Sequence, residues 1–497
     1  MLLSCSQGLD FSSYVYGELN EEAFAEETGD GYRRSAVFRS VSSKDESFSS
    51  YQSILQREDE KGNRNYVIPS TGTQPLLVIP IDFSDCPSSS LPADAISRIS
   101  RAFFGTPSSS FFSVASYYEE SSYGRLQIKG KVAPSWFRAE NPSSSYSSLS
   151  AAEQKAVLPS FYRSALLWYQ ETYPEDPLSN YAYLSESGES VVPVFFVYSL
   201  PYDGMESGKT SRSSFFWAFS MNRPAPISFA SYYMMDDQAT SRTYVHEVGH
   251  LFGLKDYYDE GSNEAVACVS PLGRCDMMDA SMGDHNPFSK MLLDWARPIE
   301  VTSSCRVKIR SFSASGDFVL LSPSWNGSPF DEYLLLSFYS PFGLNGYDGK
   351  KGKEASASLP DAPGVMAYRV NGRLGVYENS SLSYSSPLSE TSQTKGKRVD
   401  LAYSNNIGDV SNASRALIQL LDASGSSSSL CPYYVASSVT EGQEGMNRRA
   451  ALFQKGQGFQ EGSFSDFVFH DGEKLGYSFT VEEVTSTYAA ISFAKRD

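Results

Sequence analysis

Histidine is scarce in this chain: four in 497 residues, at positions 246, 250, 285 and 470. Two of them fall in His246-Glu247-Val248-Gly249-His250, an HExxH pattern. Residues four apart on a helix stand one above the other, so both imidazoles can reach one metal ion. Glu247, beside the first ligand, is then placed to accept a proton from a water polarised by that ion. A catalytic zinc site takes three protein ligands and keeps a fourth position open. The chain continues Leu251-Phe252-Gly253-Leu254-Lys255-Asp256. Gly253 can adopt φ > 0 and turn the backbone sharply, which would bring Asp256 back toward the histidines. The full HExxHxxGxxD pattern is expected by chance in roughly 1 of 100,000 such chains, which outweighs the competing reading of a buried amphipathic helix with satisfied histidines. The expected metal ligands are His246, His250 and Asp256, the expected ion is Zn²⁺, and Glu247 is the expected catalytic residue.

These residues need a helix, a turn and a floor. The spacing predicts a helix over Thr240 to Leu251, with Asp236, Asp237 or Thr240 as N-cap and Tyr244, Val245, Val248 and Leu251 as its packed face. Upstream, Leu76 to Phe83 and Val191 to Tyr198 read as buried strands, and Leu126 to Val132, Phe215 to Met221 and Ile227 to Met235 as further strands. Helices are expected at Ala93 to Phe104, Ser113 to Ser122 and Ala151 to Tyr173, the last kinked or split at Pro159. Beyond about residue 300 only short strands recur, among them Arg306 to Phe312, Phe318 to Ser322, Tyr333 to Tyr339, Gly364 to Val370 and Tyr477 to Phe493. The expected class is α+β. Residues 1–74 read as a partly disordered leader or pro-segment, 75–300 as the domain carrying the metal motif (a mixed sheet plus the active-site helix), and 301–497 as a β-rich, sandwich-like C-terminal domain.

Composition limits the rest. Hydrophobic residues make up 41% and charged ones 20%, enough apolar material for real cores. The net charge of −17 repels phosphate backbones and anionic lipid, so no nucleic-acid partner is expected. The longest apolar run, Val191 to Val197 with a proline inside, is far short of the roughly 20 residues that span a bilayer. The start, Met1-Leu2-Leu3-Ser4-Cys5, resembles the end of a bacterial lipoprotein signal, which would make Cys5 a lipid anchor; a plain N-terminal cysteine is the alternative. The six cysteines form no CxxC pair, so a thiolate zinc site is not expected; Cys268 and Cys275, flanking a Pro-Leu-Gly turn, are the expected disulfide pair.

Taken together, the motifs make the chain similar to the immune inhibitor A family of secreted bacterial metalloproteases, which are metzincin-like and use aspartate as third zinc ligand. Leu76 to Asp85 resembles that family's opening strand, Phe103 to Leu126 its next block, and Asp276 to Trp295 its Met-turn and following helix. Phe330 to Tyr339, Gly343 to Asn345 and Gly364 to Asn371 extend the likeness, which covers about residues 75–375. The resemblance implies a metzincin-like zinc peptidase domain with a methionine beneath the ligands: Met278 is the expected floor residue, Met277 the next. Other metzincins carry a tyrosine two residues after that methionine; here Ala280 or Asp279 stands there, so no tyrosine helper is expected. The family also suggests a Ca²⁺ site among Asp259, Glu260 and Glu264, against a plain solvated acidic loop. His285 could face the cleft or cap the following helix, and His470 reads as structural. The expected function is an exported, monomeric zinc endopeptidase acting on polypeptide substrates, extracellular or lipid-anchored at the bacterial surface. Its rivals are a surface binding protein on a peptidase-like scaffold and a zinc hydrolase of non-peptide amides or esters.

Overall fold

The structure, a computed structural model, describes residues 23–496 except 60, 108–111, 201–215, 217, 236–240, 259–270, 280, 348–358, 378–386, 407–415, 425–447, 460–462 and 464–466. Cys5, the N-cap candidates Asp236, Asp237 and Thr240, the acidic group Asp259, Glu260 and Glu264, Cys268 and Ala280 therefore lie outside the described residues. The chain is a mixed α/β protein with several sheets and few helices, compatible with the α+β class.

The first sheet contains β1 (Gly72–Asp82), β2 (Leu126–Val132), β3 (Val194–Tyr198), β4 (Phe219–Met221) and β5 (Ile227–Ser231), in the order β4-β5-β3-β1-β2. All neighbours run parallel except β4, which is antiparallel to β5 and forms the edge. β1 and β3 are apolar on both faces because helices or loops cover both, as parallel strands require. Helix α1 (Ala95–Phe104) buries Ala95, Ile99, Ala102 and Phe103 at helical spacing. Helix α2 (Val114–Ser121) starts at a Ser113/Ser116 capping box, and α3 (Ala151–Thr172) at a Ser150/Glu153 box. The helix is not split at Pro159; α3 runs through it, anchored on both sides by buried Leu158, Phe161, Tyr162, Ala165 and Tyr169.

Past residue 295 the strands are β6 (Ile299–Val301), β7 (Cys305–Arg310), β8 (Phe318–Leu321), β9 (Glu332–Tyr339), β10 (Gly364–Asn371), β11 (Leu374–Tyr377), β12 (Arg398–Leu401), β13 (Ile418–Leu420), β14 (Gly458–Phe459), β15 (Tyr477–Val484) and β16 (Tyr488–Lys495). The run expected as one strand from Tyr477 to Phe493 is a hairpin, β15 paired antiparallel with β16. Sheet β7-β16-β15-β14 stacks its Val307, Ile309, Phe479 and Ile491 on Val319, Leu321, Leu334 and Leu336 of a seven-stranded sheet. β11 and β12 form a separate two-stranded hairpin.

The seven-stranded sheet is completed by residues expected to be a leader. The hairpin Glu27–Gly29/Tyr32–Arg34 pairs with β6 and forms the sheet's end, and Arg34 makes a buried ion pair with Asp317 at 2.9 Å. Farther on, the short helix Tyr51–Leu55 buries Tyr51 and Ile54, and the Gln52 amide donates to the carbonyls of Ile68 and Phe252. Arg57 donates to the carbonyls of Thr394 and Lys397, tying this stretch to the approach to β12. One continuous core joins Tyr51, Tyr118, Phe252 and Trp295 with Phe318, Leu335 and Tyr368, across both regional boundaries. Deleting residues 1–70 is therefore expected to unfold the protein. It removes Phe48, Tyr51 and Ile54 from the core, each worth about 2–5 kcal/mol, against a typical total of about 5–15 kcal/mol. A truncated chain that still melts cooperatively at the parent's temperature, followed by circular dichroism, would contradict this.

Candidate metal centre

Helix α4 (Arg242–Leu251) carries the HExxH residues. Tyr244, Val245, Val248 and Leu251 are fully buried on its packed side, where the helix meets β4, β5 and α2. His246, Glu247 and His250 line a cleft of about 850 Å³. Gly249, between the histidines, lets the helix approach its floor: a Cβ there would lie 2.5 Å from Met278 Sδ. Gly253 follows with φ +96°, a conformation that side chains resist, and the Leu254 N–H closes the turn on the Gly249 carbonyl.

That turn returns Asp256 to the helix. Its Oδ1 lies 3.0 Å from His246 Nε2 and 3.4 Å from His250 Nε2. The three donor atoms fall within 4.8 Å of one another, and no other group of three or more His, Cys, Asp or Glu among the described residues could hold an ion. The other ring nitrogens explain how this set fits a cation. His246 Nδ1 is 2.8 Å from the Met277 carbonyl and His250 Nδ1 is 2.8 Å from the Leu254 carbonyl. A carbonyl can only accept, so each Nδ1 carries a proton, and in the neutral ring each Nε2 presents a lone pair to the carboxylate. Three electron-pair donors then converge with no proton between them, which suits Zn²⁺. Without a cation, charge compensates: burial opposes a charge on His250, yet Asp256 pushes its pKa up to about 10. Burial likewise acts against ionised Asp256, but His250 and His246 hold it well below the usual carboxylate range.

Both methionines support the site. Met277 supplies the carbonyl that orients His246, while Met278 is buried against Gly249 and its carbonyl accepts the Tyr257 N–H at 2.9 Å. Asp276 fixes the turn by accepting from the N–H groups of Met278 and Asn286.

Glu247 is buried, and burial raises its pKa above the ordinary value against the pull of both histidines. Its Oε2 accepts from the Ser220 hydroxyl at 2.8 Å, and its backbone carbonyl lies 3.2 Å from Ser228 Oγ. Ser220 sits on β4, so the edge strand holds the glutamate. Nothing in the sequence singled out Ser220, since serine is common and its partner lies 27 residues away. The far wall of the cleft was equally hidden: Leu55 comes from the N-terminal stretch, and Tyr377, Arg398 and Tyr403 from beyond residue 370.

The remaining histidines stay out of the cleft. His285 does not cap α5 (Pro287–Leu292); Asn286 does, its Oδ1 accepting from the Ser289 N–H at 3.0 Å. His285 is instead buried against Tyr117, Tyr118 and Trp295, and burial lowers its pKa well below the usual value, so it is neutral. His470 stacks on Tyr403 and its N–H donates to Glu332, a structural position. No helix among the described residues is long and apolar enough to cross a membrane. No protein-family model matches this sequence, and no curated protein sequence matches it, so the likeness to the immune inhibitor A family rests on the motif residues themselves.

Proposed function

We propose that the chain is a zinc-dependent endopeptidase with a metzincin-like site. The observation that carries this reading is the convergence of His246, His250 and Asp256 beside a buried glutamate that has one carboxylate oxygen anchored and one open. When bound, zinc would polarise the scissile carbonyl and make water acidic enough to lose a proton near neutral pH. Glu247 then works through Oε1, since Ser220 Oγ lies against Oε2 at 2.8 Å and the Glu247 carbonyl at 2.9 Å. Oε1 takes the proton from the attacking water and returns it to the leaving amine. A peptide substrate is favoured by β4, the end strand of its sheet among the described residues, whose Phe219 and Ser220 line the cleft where an extended chain could add. Export, at the cell surface or beyond it, is supported by the family resemblance alone.

The testing experiment is to incubate the zinc-loaded protein with an unfolded protein and with matched ester and non-peptide amide substrates. Peptide bonds cut within the unfolded chain support the reading. Turnover of esters alone favours a different hydrolase, and zinc bound with no turnover of any substrate favours a binding protein.

Ser220→Ala should lower turnover about ten- to 150-fold, the scale of one hydrogen bond to a charged group, about 1.5–3 kcal/mol. Zinc content should not change, because no ligand is touched, and Ser220→Thr should restore part of the rate. Loss of zinc in the alanine variant would show that Ser220 serves the fold of the site and not the orientation of Glu247.

A further inference from the structure

The cleft wall opposite α4 is built by the hairpin of β11 and β12, and its charge is unbalanced. Asp400, in β12, has a side chain only 3% exposed. Its Oδ1 is 2.7 Å from Lys255 Nζ, and it also accepts from Tyr51 Oη at 3.2 Å and from the Leu401 N–H at 2.7 Å. Its Oδ2 accepts from Arg398 Nη2 at 2.9 Å. One buried carboxylate thus serves two cations and has little capacity left for a ligand, leaving the trio at net +1.

All three residues line the cleft, but the cations are its exposed members and the carboxylate lies behind them. The side chains of Arg398 and Lys255 are 40% and 27% exposed, and both line the cavity. Lys255 directly precedes the expected zinc ligand Asp256. The Arg398 guanidinium lies 5.3 Å from the centre of the Tyr377 ring, which stiffens it. With Nη2 bound to Asp400, its Nε and Nη1 have no protein acceptor among the described residues. The other cation at the cleft, Arg242, is turned toward the backbone carbonyls of Ser281 and Asp279. A held guanidinium with unused donors, backed by a lysine, is matched to a carboxylate. On a chain of net charge −17 such a feature works against the overall field, so its attraction is local.

We propose that Arg398, assisted by Lys255, selects substrates carrying a carboxylate near the scissile bond, either an acidic side chain or the free C-terminus of the peptide. The proposal rests on the peptidase reading and names the substrate class of that site. The test measures binding by calorimetry to the zinc-loaded Glu247→Gln protein, which removes turnover. The probes are peptides differing only by Glu or Gln at each position, and a second set differing only by a free or amidated C-terminus.

At one position the Glu peptide should bind about tenfold more tightly than its Gln partner, and the ratio should shrink toward one near 1 M salt, where the screening length falls to about 3 Å. If the terminus is the ligand, the acid–amide pair shows that ratio instead. Arg398→Gln should abolish the preference, and Arg398→Lys should keep part of it. Equal binding within each pair by the parent site, no binding of any peptide, or an undiminished ratio in Arg398→Gln would overturn the proposal. Hydrolysis of the same peptides by the parent protein reports separately on the peptidase reading: selective binding without cleavage sinks that reading, and cleavage without selectivity sinks only the carboxylate preference.

Discussion

Glu247→Gln is expected to lower turnover by roughly two to four orders of magnitude while leaving zinc content at the parent level. The glutamine keeps the size of the side chain, and its amide can still take the Ser220 hydroxyl bond that Glu247 Oε2 accepts at 2.8 Å. It cannot take a proton from water or pass one to the leaving amine. The ligand atoms of His246, His250 and Asp256 are untouched, so the zinc stoichiometry, measured by metal analysis of the purified protein, separates lost chemistry from a lost site. Turnover within about tenfold of the parent would remove Glu247 from the acid–base role.

Asp256→Ala should have the largest effect on the metal itself. It leaves two histidines and water, and zinc affinity should fall by more than about a hundredfold, since even changes behind the ligands cost about 10–100-fold. Zinc would then pass to a mild chelator far sooner than from the parent. Asp256→His should recover part of the retention, because imidazole is a good zinc ligand and the Gly253 turn already delivers position 256 to the histidines. Asp259→Ala, which removes the next carboxylate three residues on, should leave zinc near one per chain. Zinc lost in the Asp259 variant and kept in the Asp256 variant would mean that the ion takes its third ligand beyond the turn.

The parts of this site legible in the sequence were those set by local geometry. A helix places residues 246 and 250 on one face, and a glycine at 253 reverses the chain, so the approach of Asp256 to both imidazoles follows from spacing alone. The strand Phe318–Leu321 was readable from its unbroken apolar run, and Leu126–Val132 from the alternation of Leu126, Ile128 and Val132 with polar residues. The short elements within residues 23–58 were not legible, because their strands are two or three residues long and their buried side chains are too sparse to show a period. Ser220 and Arg398 stayed hidden because their roles depend on which strand lies beside which, a property of sheet order and not of any window of sequence. Pro159 does not split α3, because tertiary anchoring on either side outweighs the one hydrogen bond it removes.

The most direct test of the central claim is to strip the purified chain with a chelator and titrate zinc back while following cleavage of an unfolded protein. Peptide release should rise in proportion to added zinc and level off at one ion per chain, with the Glu247→Gln protein binding the same single ion and staying near the baseline. Cleavage that is undiminished in the stripped chain, or that rises equally in the Glu247→Gln protein, would contradict the central claim.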